Sequence, residues 1–332
     1  MSSGIAEAPK QLEVLIVASP KRVDLLKYLF MSLLIGTNKD FVKSVIVAPL
    51  GESEKLINIL SWAERKLEDH GIRLRIVDGC TPKDPLGYCR QLLLENAEGP
   101  FVAIVDDDIL FTPRWAENIL KAFRLGCSIV FGALRPPFFY LKKQIMQSPI
   151  SRYIIRSMTI YNELFLCRDI NESYNGIYEI KPKSLHNMIQ CTQGLWGANM
   201  SFKLDIVKAL GGFKSLGYVR GVPIGGDDTE LCIRAFLKGY KVCYSSKARL
   251  VHVVDPRKIS KKYTLLKYST IAYVYKELQP KLETETILGY VYAWLQELVN
   301  IVRTSKHFSR ILDIGFHLSI PIMNIAIHKL LK

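Results

Sequence analysis

The chain has 332 residues, enough for two domains or for one large α/β domain with an appendage, which excludes a small disulfide-stapled module. Hydrophobic residues at 49% and charged residues at 23% are ordinary globular values and exclude a mostly disordered chain. Lys and Arg (45) outnumber Asp and Glu (31), and the net charge of +14 suits a polyanionic partner: nucleic acid, an acidic membrane face or a phosphorylated small molecule.

Mean hydropathy of +0.12 is slightly high for a purely soluble enzyme, so some apolar surface is expected to need a partner. Seven cysteines (80, 89, 127, 167, 191, 232, 243) are an odd number without a Cys-x-x-Cys pair. That argues against a zinc cluster or a disulfide framework and for a reducing compartment. The first residues, MSSGIAEAPKQLE, lack the basic start and apolar core of an export signal, which predicts a cytoplasmic protein.

In chain order, Val14–Ala18 is a continuous apolar run stopped by Ser19-Pro20, and Val23–Leu34 has apolar residues at helical spacing, so strand and then helix are predicted. Val42–Ala48, Ile72–Val77 and Phe101–Val105 read as further strands, with helices at Glu54–Leu67 and Gly87–Ala97 between them. Short strands apolar on both faces, alternating with helices, predict an α/β fold with a mostly parallel, doubly wound sheet flanked by helices. Ligands of such sheets sit beyond the carboxyl ends of the strands, where Ser19, Asp78 and Asp106-Asp107-Asp108 fall. A helix (Pro113–Leu125) and a strand (Ser128–Leu134) follow, and Arg135-Pro136-Pro137 breaks the pattern. Residues 138–190 read as an insertion with some helix. Beyond it lie Gly194-Leu195-Trp196-Gly197, a strand Asn199–Lys203, a helix Leu204–Leu210, and a glycine-rich loop through Gly225-Gly226-Asp227-Asp228 into a helix at Thr229–Lys238. A last strand, Ala248–Val254, carries His252.

The organisation that follows is an α/β domain at 11–256, in two halves (11–125 and 126–256), and a helical tail at 257–332. The tail holds 12 Lys and Arg against 5 Asp and Glu, half of the net charge. Its two apolar helical segments carry narrow polar stripes, Gln296, Asn300 and Arg303 in the first and Asp313, His317, Asn324 and His328 in the second. An anionic membrane surface on the cytoplasmic face is the expected partner, rather than nucleic acid. The alternative is that both helices pack on the domain or on a second subunit.

Three adjacent carboxylates at a strand end repel one another, and a divalent cation resolves that economically, with substrate phosphates completing its shell. The first and third, Asp106 and Asp108, would face the ligand while Asp107 points away; an acidic strand-end loop is the structural alternative. Asp227-Asp228, at a helix N-terminus after two glycines, reads either as a capping pair or as the source of a general base. His252 on an apolar strand is either a hydrogen-bonded core residue or a third metal ligand. Trp196 between glycines is a core residue or an aromatic platform for a ring-shaped ligand.

Taken together, LEVLIVASP, IVDGCTPKDPLGYCRQLLLENAEGPFVAIVDDDILFTPRW, GLWGANMSFKLDIVKALGGF, GGDDTELCIRAFLKGYKVCY and LVH resemble, in order and spacing, the family 2 glycosyltransferases of GT-A fold. The resemblance spans about residues 11–256. It implies an inverting transfer of sugar from a nucleotide-diphosphate sugar (UDP-, GDP- or dTDP-linked) to an acceptor hydroxyl, with Mn2+ or Mg2+. By the same resemblance Asp78 contacts the nucleobase, Asp106 and Asp108 form the D-x-D metal pair joined by His252, and Asp228 is the catalytic base. Ser19, Arg90 and Asp107 fall on the donor side, and Trp196, Gly197 and Asn199 on the sugar and acceptor side. Arg90 would add charge to the diphosphate, the alternative being a helix-surface arginine. Two departures stand out: the family's first-loop Thr-Tyr-Asn is Ser19-Pro20-Lys21 here, and its Glu-Asp pair is Asp227-Asp228, which leaves the base open between the two acids. The tail makes a lipid-linked or cell-surface glycan the expected acceptor. A nucleotidyltransferase of similar sheet architecture would need a glycine-rich phosphate loop, which VASPKRVDLL lacks; a non-catalytic membrane scaffold is the remaining alternative.

Overall fold

The structure is a computed structural model that describes residues 11–135, 170–182, 191, 195, 197–215, 218–219, 222–223 and 226–253. Trp196, most of the 138–190 insertion and the 257–332 tail lie outside the described residues. Strand β1 (Leu12–Ala18) leads through a 3-10 turn (Pro20–Arg22) into α1 (Val23–Leu33); α2 (Asn38–Phe41), β2 (Val42–Pro49), α3 (Glu54–Glu68), β3 (Arg73–Ile76), α4 (Leu86–Glu95) and β4 (Phe101–Asp106) follow. Then come β5 (Ile109–Phe111), α5 (Trp115–Arg124), β6 (Ile129–Arg135), β7 (Ile170–Tyr174), β8 (Ile177–Ile180), β9 (Asn199–Lys203) and α6 (Leu204–Ala209). The two-residue strands β10 (Tyr218–Val219) and β11 (Val222–Pro223), α7 (Asp227–Leu237) and β12 (Val242–His252) complete the described part.

Alternation along the strands builds two cores. Leu12, Val14, Ile16 and Ala18 of β1 pack with Val45 and Val47 of β2 on the face covered by α1, α3 and α5, where Phe30, Leu60 and Trp115 are buried. Leu15, Ile46, Val102 and Ile104 point the other way, into a core closed by α4, α6 and α7 through Leu93, Val207 and Leu231. The expected helix-flanked α/β sheet is therefore present.

The strand order is β3-β2-β1-β4-β9-β6-β12-β8-β7, with β5 on β12. β3, β2, β1 and β4 are parallel, as are β6 and β12, while β9 runs antiparallel between β4 and β6. This reversal matters for function: the start of β9 lies at the edge where β1, β4, β6 and β12 end. Val105 pairs with Asn199, Val17 with Asp106, and Val251 with Arg135.

Sequence reading missed β5 and the start of β12, which begins at Val242 rather than Ala248. β5 leaves the triple-aspartate turn and pairs antiparallel with the end of β12, His252 opposite Ile109. In the described part of the insertion there is a hairpin rather than helix, turned at Asn175-Gly176 with φ of 55° and 85°. Asn-Gly is the pair a tight hairpin turn favours, so its signal was present in the sequence. The expectation of free thiols is also overturned: disulfides join Cys80 to Cys89 and Cys127 to Cys243, and Cys191 is disulfide-bonded as well, whereas Cys232 is free and buried. An odd count carries no information about which sulfurs a fold brings together; here neighbouring strands β6 and β12 bring Cys127 and Cys243 into reach. Among the described residues no helix is long and apolar enough to cross a membrane.

One buried charge organises the opposite edge of β1. Glu13 accepts from Ser44 Oγ at 2.7 Å and from the amides of Glu98 and Gly99 at 2.7 and 2.8 Å, with Arg75 3.7 Å away. Burial alone would raise its pKa, but these donors outweigh it and hold the carboxyl below its ordinary value. A folded-state pKa below the unfolded one contributes stability that is present above the ordinary carboxylate range and lost as pH falls through the depressed value. Glu13→Ala, which strands three donors, is expected to cost about 3 kcal/mol at pH 7 in urea denaturation. The gap between wild type and variant should shrink when the measurement is repeated below about pH 4.

Candidate functional site

The site begins where β4 runs out. Asp106 ends the strand and is part-exposed, while Asp107 and Asp108 in the following turn are buried. The Val253 amide donates to the Asp108 carbonyl at 2.7 Å, so pairing of β5 with β12 carries His252 to the turn. His252 Nε2 lies 3.0 Å from Asp108 Oδ1 and 3.9 Å from Asp106 Oδ2. One ligand atom from each of Asp106, Asp108 and His252 falls within 4.8 Å of the others, a possible metal-binding triad. Two hard carboxylates and one imidazole fit an octahedral ion such as Mn2+, with open positions left for phosphate oxygens.

Asp107, expected on the donor side, is tied to the first loop. Its Oδ2 accepts the Ser19 amide at 2.7 Å and its Oδ1 accepts Arg22 Nη1 at 2.5 Å. Burial pushes its pKa up to about 6, against the pull of Arg22 and the Ser19 amide. Ser19, also expected at the donor, has its amide on Asp107 and its hydroxyl accepting from the Lys21 amide. The same Arg22 nitrogen lies 2.9 Å from Asp108 Oδ2. Sequence reading overlooked Arg22. The only signal was a cation directly after the loop in which Ser19-Pro20-Lys21 replaces the expected residues.

Arg90 is not on a helix surface. It is buried on α4, with Nη1 2.9 Å from Asp227 Oδ2 and Nη2 3.4 Å from Asp106 Oδ1. Burial disfavours its charge, but Asp227, Asp228 and Asp106 together more than compensate and keep the guanidinium protonated. The arginine therefore joins the two acidic clusters, which are about 120 residues apart in sequence. A close helix approach makes this reach possible. A Cβ at Gly87, one turn before Arg90, would overlap the Lys214 carbonyl and press on the Asp227 side chain.

The two acids of α7 have different surroundings. Gly226 adopts the left-handed conformation (φ 96°) before the helix, which sends Asp227 inward and leaves Asp228 part-exposed. Asp227 is buried on Arg90, its Oδ1 has no hydrogen-bond partner among the described residues, and burial raises its pKa. Asp228 accepts the Gly197 amide at 2.6 Å and the Thr229 amide at 2.8 Å. Gly197 is required there, because a Cβ would overlap the Asp228 carboxylate.

Asn199, expected on the sugar and acceptor side, sits in the core between strands. Fully buried, it accepts from Trp115 Nε1 at 2.9 Å and donates to the carbonyls of Ala133 and Ala248 at 3.1 and 2.9 Å. Both amide protons are used inside the core, so Asn199 braces β6, β9 and β12. Asp78 is exposed just past the carboxyl end of β3. The Cys80–Cys89 bridge ties the loop that follows it to α4, one residue before Arg90.

No family model matches the sequence, and no curated protein matches it in sequence. Solved structures share its fold, two of them over nearly the whole chain. A mannosyltransferase from Pyrobaculum calidifontis, in complex with GDP-Man and Mn2+, aligns over 95% of this chain and 87% of its own with a TM-score of 0.59 and 12% identity. S. aureus TarS 1–349 aligns over 94% of this chain and 90% of its own with a TM-score of 0.51 and 13% identity. At such identities the likeness lies in the path of the chain, and the protein shares the fold of these two structures.

The Arg90 bridge generates a stability prediction. Arg90→Met strands Asp227 as an uncompensated buried charge, so a loss of about 3–5 kcal/mol is expected in urea denaturation. Adding Asp227→Asn should recover part of that loss, whereas simple additivity of the two changes would show that the pair is not coupled.

Proposed function

We propose that this protein is a metal-dependent, inverting glycosyltransferase of family 2 type that moves a sugar from a nucleotide-diphosphate donor to an acceptor hydroxyl. The observation that carries this reading is the Arg90 bridge. It joins Asp106 of the candidate metal triad to Asp227, whose neighbour Asp228 is the more exposed acid of the pair, so a cation site and a candidate base share one sheet edge. The likeness of fold to a mannosyltransferase solved with GDP-Man and Mn2+ supports the donor class and the metal.

In this reading Asp106, Asp108 and His252 would hold Mn2+ or Mg2+, which when bound neutralises charge developing on the diphosphate leaving group. Arg90 keeps the carboxylates of Asp106 and Asp227 in place. Asp228 is the base: two backbone amides orient its carboxylate, and each oxygen keeps a lone pair for an acceptor proton. The acceptor oxygen attacks the anomeric carbon from the face opposite the diphosphate, the bond to the diphosphate oxygen breaks, and configuration inverts. Asp227, buried and ion-paired, orients the helix start instead of moving a proton. Asp78 is assigned to the nucleobase, Gly197 to the base loop and Trp196 to the sugar side. The domain reading of 11–256 as catalytic and 257–332 as a basic tail on an anionic cytoplasmic membrane face stands as part of the proposal, with a lipid-linked or surface glycan as acceptor.

A hydrolysis screen of UDP-, GDP- and dTDP-sugars with and without Mn2+ tests the donor class; metal-dependent release from at least one is expected. Asp228→Asn should lower transfer by about 10²–10⁴-fold while leaving Mn2+-dependent nucleotide binding in place. Asp108→Asn should instead remove that binding. Near-wild-type turnover of the Asp228 variant would sink its role as base.

A further inference from the structure

Arg22 belongs to no part of the metal triad, yet it shares a carboxylate with it. Asp108 presents Oδ1 to His252 at 3.0 Å and Oδ2 to Arg22 Nη1 at 2.9 Å, and the same nitrogen holds Asp107. The guanidinium cannot drift far. Its 3-10 turn is pinned by the Ser19 amide on Asp107, and the side chain is only 25% exposed. A divalent ion held by Asp106, Asp108 and His252 would thus meet a fixed positive charge across one carboxylate, at a separation where screening by water and salt is incomplete.

Resting on the metal-site reading above, we propose that Arg22 is a resident counter-cation: it holds the triple-aspartate turn in its folded geometry and thereby sets, and weakens, its affinity for a divalent ion. Three consecutive acids would otherwise repel one another and bind metal tightly at any time. With Arg22 in place, part of the negative charge is already answered, and the ion binds well only when a diphosphate brings further oxygen ligands and negative charge of its own. Metal and nucleotide then bind as a coupled pair. Arg22 is a positioning residue in this account, acting through Asp107 and Asp108.

Calorimetric titration of the full chain with Mn2+ alone, and with Mn2+ in the presence of GDP or UDP, tests this. Arg22→Met and Arg22→Gln should each bind Mn2+ alone about tenfold more tightly than wild type and show a smaller gain on adding nucleotide. Arg22→Lys, which keeps the charge, should stay near wild type. The Met and Gln variants should also melt at a lower temperature without metal and regain most of the loss with Mn2+. Gln keeps a donor for Asp107, so a folding failure confined to Met leaves the test intact. Unchanged or weaker Mn2+ binding by the Met or Gln variant, or a Lys variant that behaves like them, overturns the proposal. Absence of Mn2+ binding in wild type, with or without nucleotide, overturns instead the metal-site reading on which it rests.

Discussion

Five carboxylates, those of Asp106, Asp107, Asp108, Asp227 and Asp228, are gathered at one edge of the sheet, three of them buried. Two like charges 4 Å apart repel by about 4 kcal/mol at an effective dielectric near 20, so the edge folds only because other groups answer them. Two arginines do most of this. Arg22 comes from the first turn after β1 and holds Asp107 and Asp108; Arg90 comes from α4 and holds Asp106 and Asp227. The backbone answers the rest, with the amides of Ser19, Gly197 and Thr229 on Asp107 and Asp228.

That compensation separates acids that look equivalent in sequence. Asp107 is tied to the first loop and Asp227 to Arg90, whereas Asp106 and Asp108 lie with His252 and Asp228 rests on two backbone amides. Each of the tied acids has a pKa raised by burial. Buried charged groups with fixed partners hold the geometry of the acids they flank.

Topology delivers these groups to one place. The antiparallel β9 brings Gly197 to the edge at which β4 and β12 end, and β5 folds the triple-aspartate turn back onto His252. Asn199, bonded to β6, β12 and Trp115, braces this reversal from inside. A glycine at 87 and another at 197 permit the close approaches on which Arg90 and Asp228 depend.

Much of this was legible in the chain itself. Apolar runs ending in Ser19, Asp78 and Asp106, with helices between them, determined a helix-flanked sheet with acids at its carboxyl edge, because strand alternation and the position of ligand sites in such sheets are local and periodic properties. Residue type and spacing also singled out Asp106, Asp108, Asp228 and His252. The short β5, the disulfide pairs, the burial of Arg90 and the core position of Asn199 were not legible. Each depends on a partner more than 80 residues away or on a strand too short to show a period, with the exception of Cys80–Cys89, where the two cysteines are nine residues apart but nothing local marks them as partners. Only the tertiary structure decided which cation or amide answers each acid, because those groups are supplied from other elements of the fold.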